Sequence, residues 1–535
     1  MTPSRRRAAA LACFVLSLIA LGWNVQNAGV ASGSIDTVLK LGAQDESLYT
    51  REAIHMVTTN QWSTQNWLDR YEMSKPPLLM WLSALSMKLL GINAFAARVP
   101  SLVSGALACT LIFLLAWQIR SLAAAIAAAI LMLATQPFHI LARLNLTDML
   151  LTACVTAALY FALRGGAGGF AVSIALAILA KSLMGFLPVL ALFGTWGRKS
   201  KFPVKTLAWI VVIAAPWFLY QFVVHREWLM AHYAGVLVMG LGQTPQAAQE
   251  WELWFYAKRA ALNAPLLTAT LLTAIPSWMM ALRRRDPVAR ALLAWTAVFL
   301  IGLLLYRHRS VQYMLPLIPV LSLAAAFYSP LMSLRSAWIV CALFAIAFFF
   351  EAANPGTTWG LSYESGTTLS PAPLLTQYCE MHRHTDLILL NVDDEFYSSV
   401  LPLARVRYAW VDPSDVDARL EPYFRYLGIS LRLGQFLGLP SDQSPFRQRL
   451  LDWKAPSDRA IGQALVARDL DDLRMLVRGR SQSDYLLPRS LLAKLDPSTV
   501  AAYDLVSALA PDVLLLSKNP AENQAAPQPG WSCRI

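Results

Sequence analysis

Residues 100–119 read PSLVSGALACTLIFLLAWQI, and after Arg120 and Ser121 residues 122–142 read LAAAIAAAILMLATQPFHILA. Neither run contains Asp, Glu, Lys or Arg. Each is close to the roughly 20 helical residues that cross about 30 Å of hydrocarbon. Apolar runs of this kind, parted by short polar breaks, recur through the first two thirds of the chain. The composition agrees: 56% of residues are hydrophobic and 15% charged, against about a quarter charged in an ordinary soluble protein. The expected class is an α-helical polytopic membrane protein.

The net charge of +12 is concentrated in the breaks. Arg5, Arg6 and Arg7 open the chain, Arg198, Lys199, Lys201 and Lys205 form a second cluster, and Arg283, Arg284 and Arg285 a third. Lys and Arg in short gaps between spans mark the cytoplasmic side. A nucleic-acid face would need a contiguous basic surface on a soluble domain, and none is visible. With the basic gaps as markers, eleven spans are expected at 8–28, 100–119, 122–142, 147–164, 168–181, 183–197, 206–224, 264–282, 289–306, 312–330 and 335–351. Arg120, Arg164, Arg198–Lys205, Arg283–Arg285 and Arg335 then share one face. The apolar stretch from Pro76 to Leu90 is short and interrupted by Ser83, Ser86 and Lys88, which suits a helix lying in the interface. The pair at 168–181 and 183–197 is short as well, and must cross twice if Arg164 and Arg198 are to lie on the same side. The apolar stretch from Ala8 to Trp23 after Arg5–Arg7 reads as an uncleaved first span, in preference to a cleaved signal peptide, because many spans follow it.

This organisation gives a transmembrane domain over 1–351, with outer loops at 29–99 and 225–263. A soluble α/β domain follows over 352–535, outside by parity. Leu387–Val392, Val406–Val411 and Val513–Leu516 read as its strands, and the Pro-, Asn-, Gln- and Ala-rich end as a loose tail. Cys13, Cys109, Cys154 and Cys341 lie in apolar runs and read as small core residues. No pair has CxxC spacing. Cys379 and Cys533 lie in the polar tail and can form a disulfide if the tail is extracytoplasmic, although sequence does not show their proximity.

Chemistry-bearing residues gather on the expected outer face. Asp45-Glu46 can hold a divalent metal or take a proton from an attacking hydroxyl, against the plainer reading of solvated loop acids. Lys75, before Pro76 and Pro77, stands at headgroup depth, where an ammonium either holds a lipid phosphate or simply snorkels. Arg143 and Asp148 flank the turn between the third and fourth spans, as functional residues or as a pair closing that turn. Lys181 sits between two short spans. His225, Arg226, His232 and Tyr233 belong to the second outer loop, and Arg307, His308, Arg309 and Tyr313 to the junction of the ninth and tenth spans. Basic side chains on the outer side run against the positive-inside trend. Recognition of a phosphate-bearing lipid head supplies one reason for them, and the other reading is that a few outer basic residues are tolerated without function.

Taken in order, these motifs resemble the GT-C glycosyltransferase superfamily, in particular its aminoarabinose transferase and protein O-mannosyltransferase branch. The resemblance rests on Asp45-Glu46 with Tyr49 and Arg51-Glu52-Ala53, then Ser74-Lys75-Pro76-Pro77-Leu78, then Ala96-Ala97-Arg98-Val99-Pro100-Ser101. It continues through Ala142-Arg143-Leu144-Asn145-Leu146-Thr147-Asp148-Met149, Ala214-Ala215-Pro216-Trp217-Phe218 and Gln312-Tyr313-Met314-Leu315-Pro316-Leu317, covering about residues 8–320. It implies a GT-C fold, with Asp45 as the catalytic carboxylate and Asp148 as a second catalytic acid of the outer cavity. Lys75 would be the ligand of a polyprenyl phosphate, with Glu46, Arg143, Lys181, Arg309 and Tyr313 binding substrate. The family's glutamate before the lysine, which helps hold a metal in some relatives, is Ser74 here, and the nearest acid is Glu72. A divalent metal is therefore compatible with the pattern but not required by it. The family's Lys–Gly pair reads Lys181-Ser182.

The function expected is transfer of a sugar from a polyprenyl-phosphate donor to an extracytoplasmic lipid, glycan or protein, with inversion. The protein would sit among the lipids of a bacterial inner membrane, with its N-terminus cytoplasmic and the C-terminal domain periplasmic. The alternatives are a transporter or flippase for a lipid-linked or anionic solute, and a non-catalytic scaffold. The transporter reading would want repeats and mid-membrane ionisable residues, and neither is seen.

Overall fold

In the computed structural model of the chain, the described residues are 3–23, 44–67, 70–193, 204–226, 255–306 and 310–332, with six strands and a short helix near the C-terminus and a few single residues. Helix α1 (Pro3–Gly22) takes the arginines of the first turns into the helix, so it starts before the expected span at 8. Helix α2 (Gln44–Thr59) carries Asp45 and Glu46 in its first turn, where carboxylates complement the helix dipole. A two-residue hairpin follows, β1 (Asn66–Trp67) against β2 (Arg70–Tyr71). Helix α3 (Leu78–Leu90) is the short helix expected from Pro76 onward. It buries Leu79, Met80, Ser83, Ala84, Ser86 and Met87 and exposes Leu85, Leu89 and Leu90.

Helix α4 (Ala94–Ile119) begins six residues before the expected 100, because Asn93 caps it by accepting from Ala96 N at 2.8 Å. Pro100 lies inside this helix rather than at its start. The expected span 122–142 is two helices, α5 (Leu122–Leu133) and α6 (Gln136–Leu141). Pro137 in the first turn of α6 explains the break, since proline cannot donate back along the helix and clashes with the carbonyl four residues earlier.

Helices α7 (Thr147–Leu163) and α8 (Ala167–Lys181) form a hairpin through Gly165, whose φ of +71° lies in the left-handed region that favours glycine. At Ser182 the chain turns with φ +50° into a 3-10 segment, Ser182–Phe186, that folds back on α8. Gly185 sits so close that a Cβ there would meet the Ala177 carbonyl carbon at 2.3 Å. Helix α9 (Leu187–Phe193) continues from that turn. Although residues 167–191 are apolar enough to count as one 25-residue crossing stretch, the Ser182 reversal means they are not one straight helix.

Helices α10 (Val204–Val224), α11 (Phe255–Asn263), α12 (Pro265–Arg283) and α13 (Pro287–Leu305) follow, then a 3-10 segment Val311–Leu317 that leads into α14 (Ile318–Tyr328). Among the described residues, six stretches are long and apolar enough to cross a membrane, and three more apolar helices are shorter. Trp209, Val212, Leu219 and Val223 of α10 and Leu272, Met279, Leu300 and Ile301 of α12 and α13 are exposed. An outward apolar face is what hydrocarbon requires, as the backbone polar groups are satisfied within each helix.

The helix directions sort the charges to two ends. At one end Arg120 donates to Phe327 O at 3.2 Å, Tyr328 OH donates to Asp286 Oδ2 at 2.9 Å, and Trp278 stacks on Tyr328. The Arg283–Arg285 and Arg164 turns close helices that run toward this end. The other end holds the starts of α2, α4 and α7 and the close of α8. Sorting of the basic gaps to one end is what the charge pattern predicts.

The C-terminal strands are β3 (Leu387–Leu390), β4 (Val406–Val411), β5 (Ala464–Ala467), β6 (Asp484–Pro488), β7 (Asp504–Ala510) and β8 (Val513–Ser517), with a one-turn helix α15 (Arg489–Leu492) after β6. They form one sheet in the order β5-β4-β3-β6-β8-β7. The first four are parallel, and β8 is antiparallel to both β6 and β7. A parallel core needs crossover connections, so this is an α/β arrangement. All three strands expected from sequence are present. The expected span 335–351 in the main, the domain boundary at 352, Cys379 and Cys533 lie outside the described residues.

Candidate active site

Four elements converge where α1 ends and α2 begins. Arg98, on the second turn of α4, is wholly buried and forks onto Glu46, Nε to Oε1 at 2.7 Å and Nη2 to Oε2 at 3.0 Å. Its Nη1 donates to Val25 O at 2.7 Å, which ties the exit of α1 to the same point. Asn145 N donates to Glu46 Oε1 at 2.9 Å, and Asn145 Nδ2 to Thr50 Oγ1 at 3.1 Å. Ser83 of α3 donates to Asn145 Oδ1 at 2.9 Å. A bidentate Arg–carboxylate pair with further donors on the same carboxylate is the arrangement that lets a buried ion pair hold its place.

Glu46, expected to bind substrate, turns its oxygens to Arg98 and Asn145, an arrangement that fixes the start of α2. The half-buried Asp45 beside it inherits its place from this clamp. Arg143 does not form the turn-closing pair with Asp148 that was its alternative reading: its Nη2 donates to Trp23 O at 2.8 Å, and Nη1 lies 3.3 Å from His139 Nε2. The arginine closes the end of α1 against the turn before α7.

Asp148 opens α7 and pairs instead with Lys181, which closes α8, at 2.5 Å from Nζ to Oδ1. Both side chains are almost wholly buried. The Tyr313 ring lies over the same ammonium, 4.7 Å from Nζ. Asp45 and Lys75 both stand within electrostatic reach of Asp148 and of Lys181. The residues at 45, 75, 148, 181 and 313, far apart in sequence, therefore meet at one end of the bundle. Arg309 lies outside the described residues.

Lys75 is held through its backbone. Gln65, wholly buried, donates from Nε2 to Lys75 O at 2.6 Å, and its own carbonyl accepts from Glu72 N at 3.1 Å. Glu72 Oε1 accepts from Ser74 N at 2.8 Å. The end of α10 packs against this segment: Gln221 Nε2 and Trp217 Nε1 both donate to Ser63 O, and the His225 ring just beyond the helix packs on Tyr71 at 4.1 Å. Further on, the Tyr233 hydroxyl meets Ser182 Oγ at 2.7 Å. Sequence reasoning singled out His225 and Tyr233 but passed over Gln65 and Asn145 as site-builders, since a lone amide carries no pattern. Arg98 was visible as an arginine in an apolar stretch, which is a signal for a buried partner.

Among the described residues, no three His, Cys, Asp or Glu side chains come together as a metal cage. Beside Lys75 stands Ser74, with Glu72 the nearest acid.

A family model described as dolichyl-phosphate-mannose-protein mannosyltransferase matches residues 74–220, the segment that holds Lys75, Arg98, Asp148 and Lys181. The crystal structure of ArnT from Cupriavidus metallidurans bound to undecaprenyl phosphate superimposes with a TM-score of 0.67 at 16% identity, covering 97% of this chain and 99% of that one. The archaeal oligosaccharyltransferase AglB from Archaeoglobus fulgidus, in complex with an inhibitory peptide and a dolichol-phosphate, gives 0.51 at 14% identity over 74% of this chain and 63% of its own. An uncharacterized protein of Aquifex aeolicus (strain VF5) is 23% identical over 317 residues, 58% of this chain and 74% of its own. A second from that organism is 24% identical over 333 residues, 57% of this chain and 65% of its own.

The architecture is the GT-C fold, a multi-pass helical membrane domain followed by an α/β segment. The family match is confined to residues 74–220, and the likeness to ArnT and AglB is a likeness of fold.

Proposed function

We propose that this protein transfers a sugar from a polyprenyl-phosphate carrier to a hydroxyl acceptor on the extracytoplasmic side of a bacterial inner membrane. The observation that carries the reading is the meeting of Asp45, Lys75, Asp148 and Lys181 at the end of the bundle away from the arginine turns. Positive-inside sorting puts that arginine end in the cytoplasm, and so the site outside.

In this reading Asp45 takes the proton of the acceptor hydroxyl as its oxygen attacks the anomeric carbon. The bond from that carbon to the carrier phosphate breaks, and inversion follows from attack opposite the leaving group. Lys75 stabilises the charge on the departing phosphate. Asp148, fixed by Lys181, is a second acid that can accept hydrogen bonds from the sugar hydroxyls. Support comes from the undecaprenyl phosphate in the ArnT structure and the dolichol-phosphate in the AglB structure. The C-terminal α/β segment is assigned to the outer side and to acceptor selection.

The test is mass spectrometry of envelope lipids and glycans from cells with the wild-type protein, with Asp45→Asn, and without it. A sugar adduct present only with wild type supports the reading. Identical profiles in all three sink it.

A further inference from the structure

Glu52 stands on the same face of α2 as Asp45, seven residues and so about two turns along, roughly 10 Å. It plays no part in the clamp or in the Asp148–Lys181 pair. Its side chain is wholly buried, and neither carboxyl oxygen has a hydrogen-bond partner among the described residues. Helix α2 packs there on α3 and on the hairpin strand β1. The charged groups that act on Glu52 are Glu72 and Lys75, from the segment between hairpin and α3. Arg51 and His55 are its neighbours along α2. Lys88 of α3 is engaged elsewhere, over the Trp62 ring.

A buried carboxylate with no donor on either oxygen is one of the costliest arrangements in a protein interior. A neutral carboxyl at the same place costs less and brings an O–H to give. Beside a lysine that receives a phosphate the difference matters twice, because an acceptor-only carboxylate repels the anion while an O–H binds it. We propose that Glu52 is a phosphate-binding residue that donates a hydrogen bond from its neutral carboxyl to the phosphate held at Lys75. This rests on the polyprenyl-phosphate reading given above. The proton stays on Glu52, the phosphate oxygen accepts, and no bond is made or broken. Burial holds the Glu52 carboxyl well above the usual carboxylate range, Glu72 pushes it further up, and Lys75 opposes both only in part.

The experiment measures undecaprenyl phosphate binding to the full-length chain in detergent, from neutral to alkaline pH. Inorganic phosphate and the uncharged polyprenol serve as parallel probes. Wild type should prefer undecaprenyl phosphate to both, and should weaken as rising pH ionises Glu52. Glu52→Gln, which keeps a neutral donor of the same size, should bind within about threefold of wild type at neutral pH and lose the alkaline fall. Glu52→Leu, which fills the space without a donor, should bind on the order of tenfold more weakly, as loss of a hydrogen bond to a charged group implies. Binding by Glu52→Leu equal to wild type overturns the proposal, and so does Glu52→Gln as weak as Glu52→Leu, or an alkaline fall that persists in Glu52→Gln. If wild type does not distinguish undecaprenyl phosphate from polyprenol, the carrier reading itself falls and takes this proposal with it.

Discussion

Lys181 Nζ lies 2.5 Å from Asp148 Oδ1, an ammonium that closes one helix against a carboxylate that opens its partner. The pair is nearly free of solvent, so each charge depends on the other. Lys181→Met should lower stability by about 3–5 kcal/mol, the usual cost of leaving one member of a buried pair alone. Asp148→Leu combined with Lys181→Met should recover much of that stability yet remain inactive in sugar transfer. Thermal unfolding in detergent and a transfer assay read the two effects separately, and an active double variant would remove Asp148 from the mechanism.

Asp45→Asn keeps size and polarity but cannot take a proton. Transfer should fall by about 10²–10⁴-fold, the range of general-base catalysis, while undecaprenyl phosphate binding stays close to wild type. Equal loss of both would make Asp45 a binding residue instead.

Arg98→Leu should be among the most destabilising single changes in the chain. It strands the Glu46 carboxylate and releases Val25 O and the exit of α1. A loss of about 3–5 kcal/mol is expected, with partial recovery when Glu46→Leu is added. A shift in melting temperature too small to measure would show that the clamp is not what sets the position of Asp45.

Gly185→Ala tests the reversal that aims Lys181. The added carbon would come within 2.3 Å of the Ala177 backbone, where nothing flexible can give way. The 3-10 turn must shift, at about 1–3 kcal/mol for overpacking of this kind. Transfer activity should drop with it, and a fully active, equally stable variant would contradict the close approach.

Stability should depend on pH through Glu52. Its carboxyl is raised in the folded chain, first by burial and then by Glu72. The folded state therefore binds the proton more tightly than the unfolded state does. That contribution is complete below the unfolded glutamate pKa of about 4.3 and is lost as pH rises through the folded value. Wild type should lose stability relative to Glu52→Gln as pH climbs, read from denaturation midpoints, and parallel curves for the two would refute the assignment.

Periodicity and composition made the membrane class legible, since hydrocarbon admits a helix only where some twenty residues together shed their charge. The arginine gaps gave the sidedness pattern for the same reason, and Arg98, Arg143, Asp148 and Lys181 stood out against the apolar runs around them, whereas Asp45 and Lys75 lie in a polar loop and were legible only by motif. Helix ends were less legible. Residues 122–142 look uniform until Pro137 breaks them, and α4 begins at an asparagine cap rather than at its conspicuous proline.

Sequence alone determined that this chain spans a membrane with helices, carries an α/β segment behind them, and gathers acids and bases in the breaks between its apolar runs. Only the tertiary structure decided which of those charges meet. Glu46 turned inward to Arg98, Arg143 took a carbonyl of the α1 exit, and Asp148 found Lys181, thirty-three residues away. Hydrophobic pattern is a local property of the chain, whereas a side chain's partner is settled by packing between distant segments, and spacing along the sequence says nothing about that.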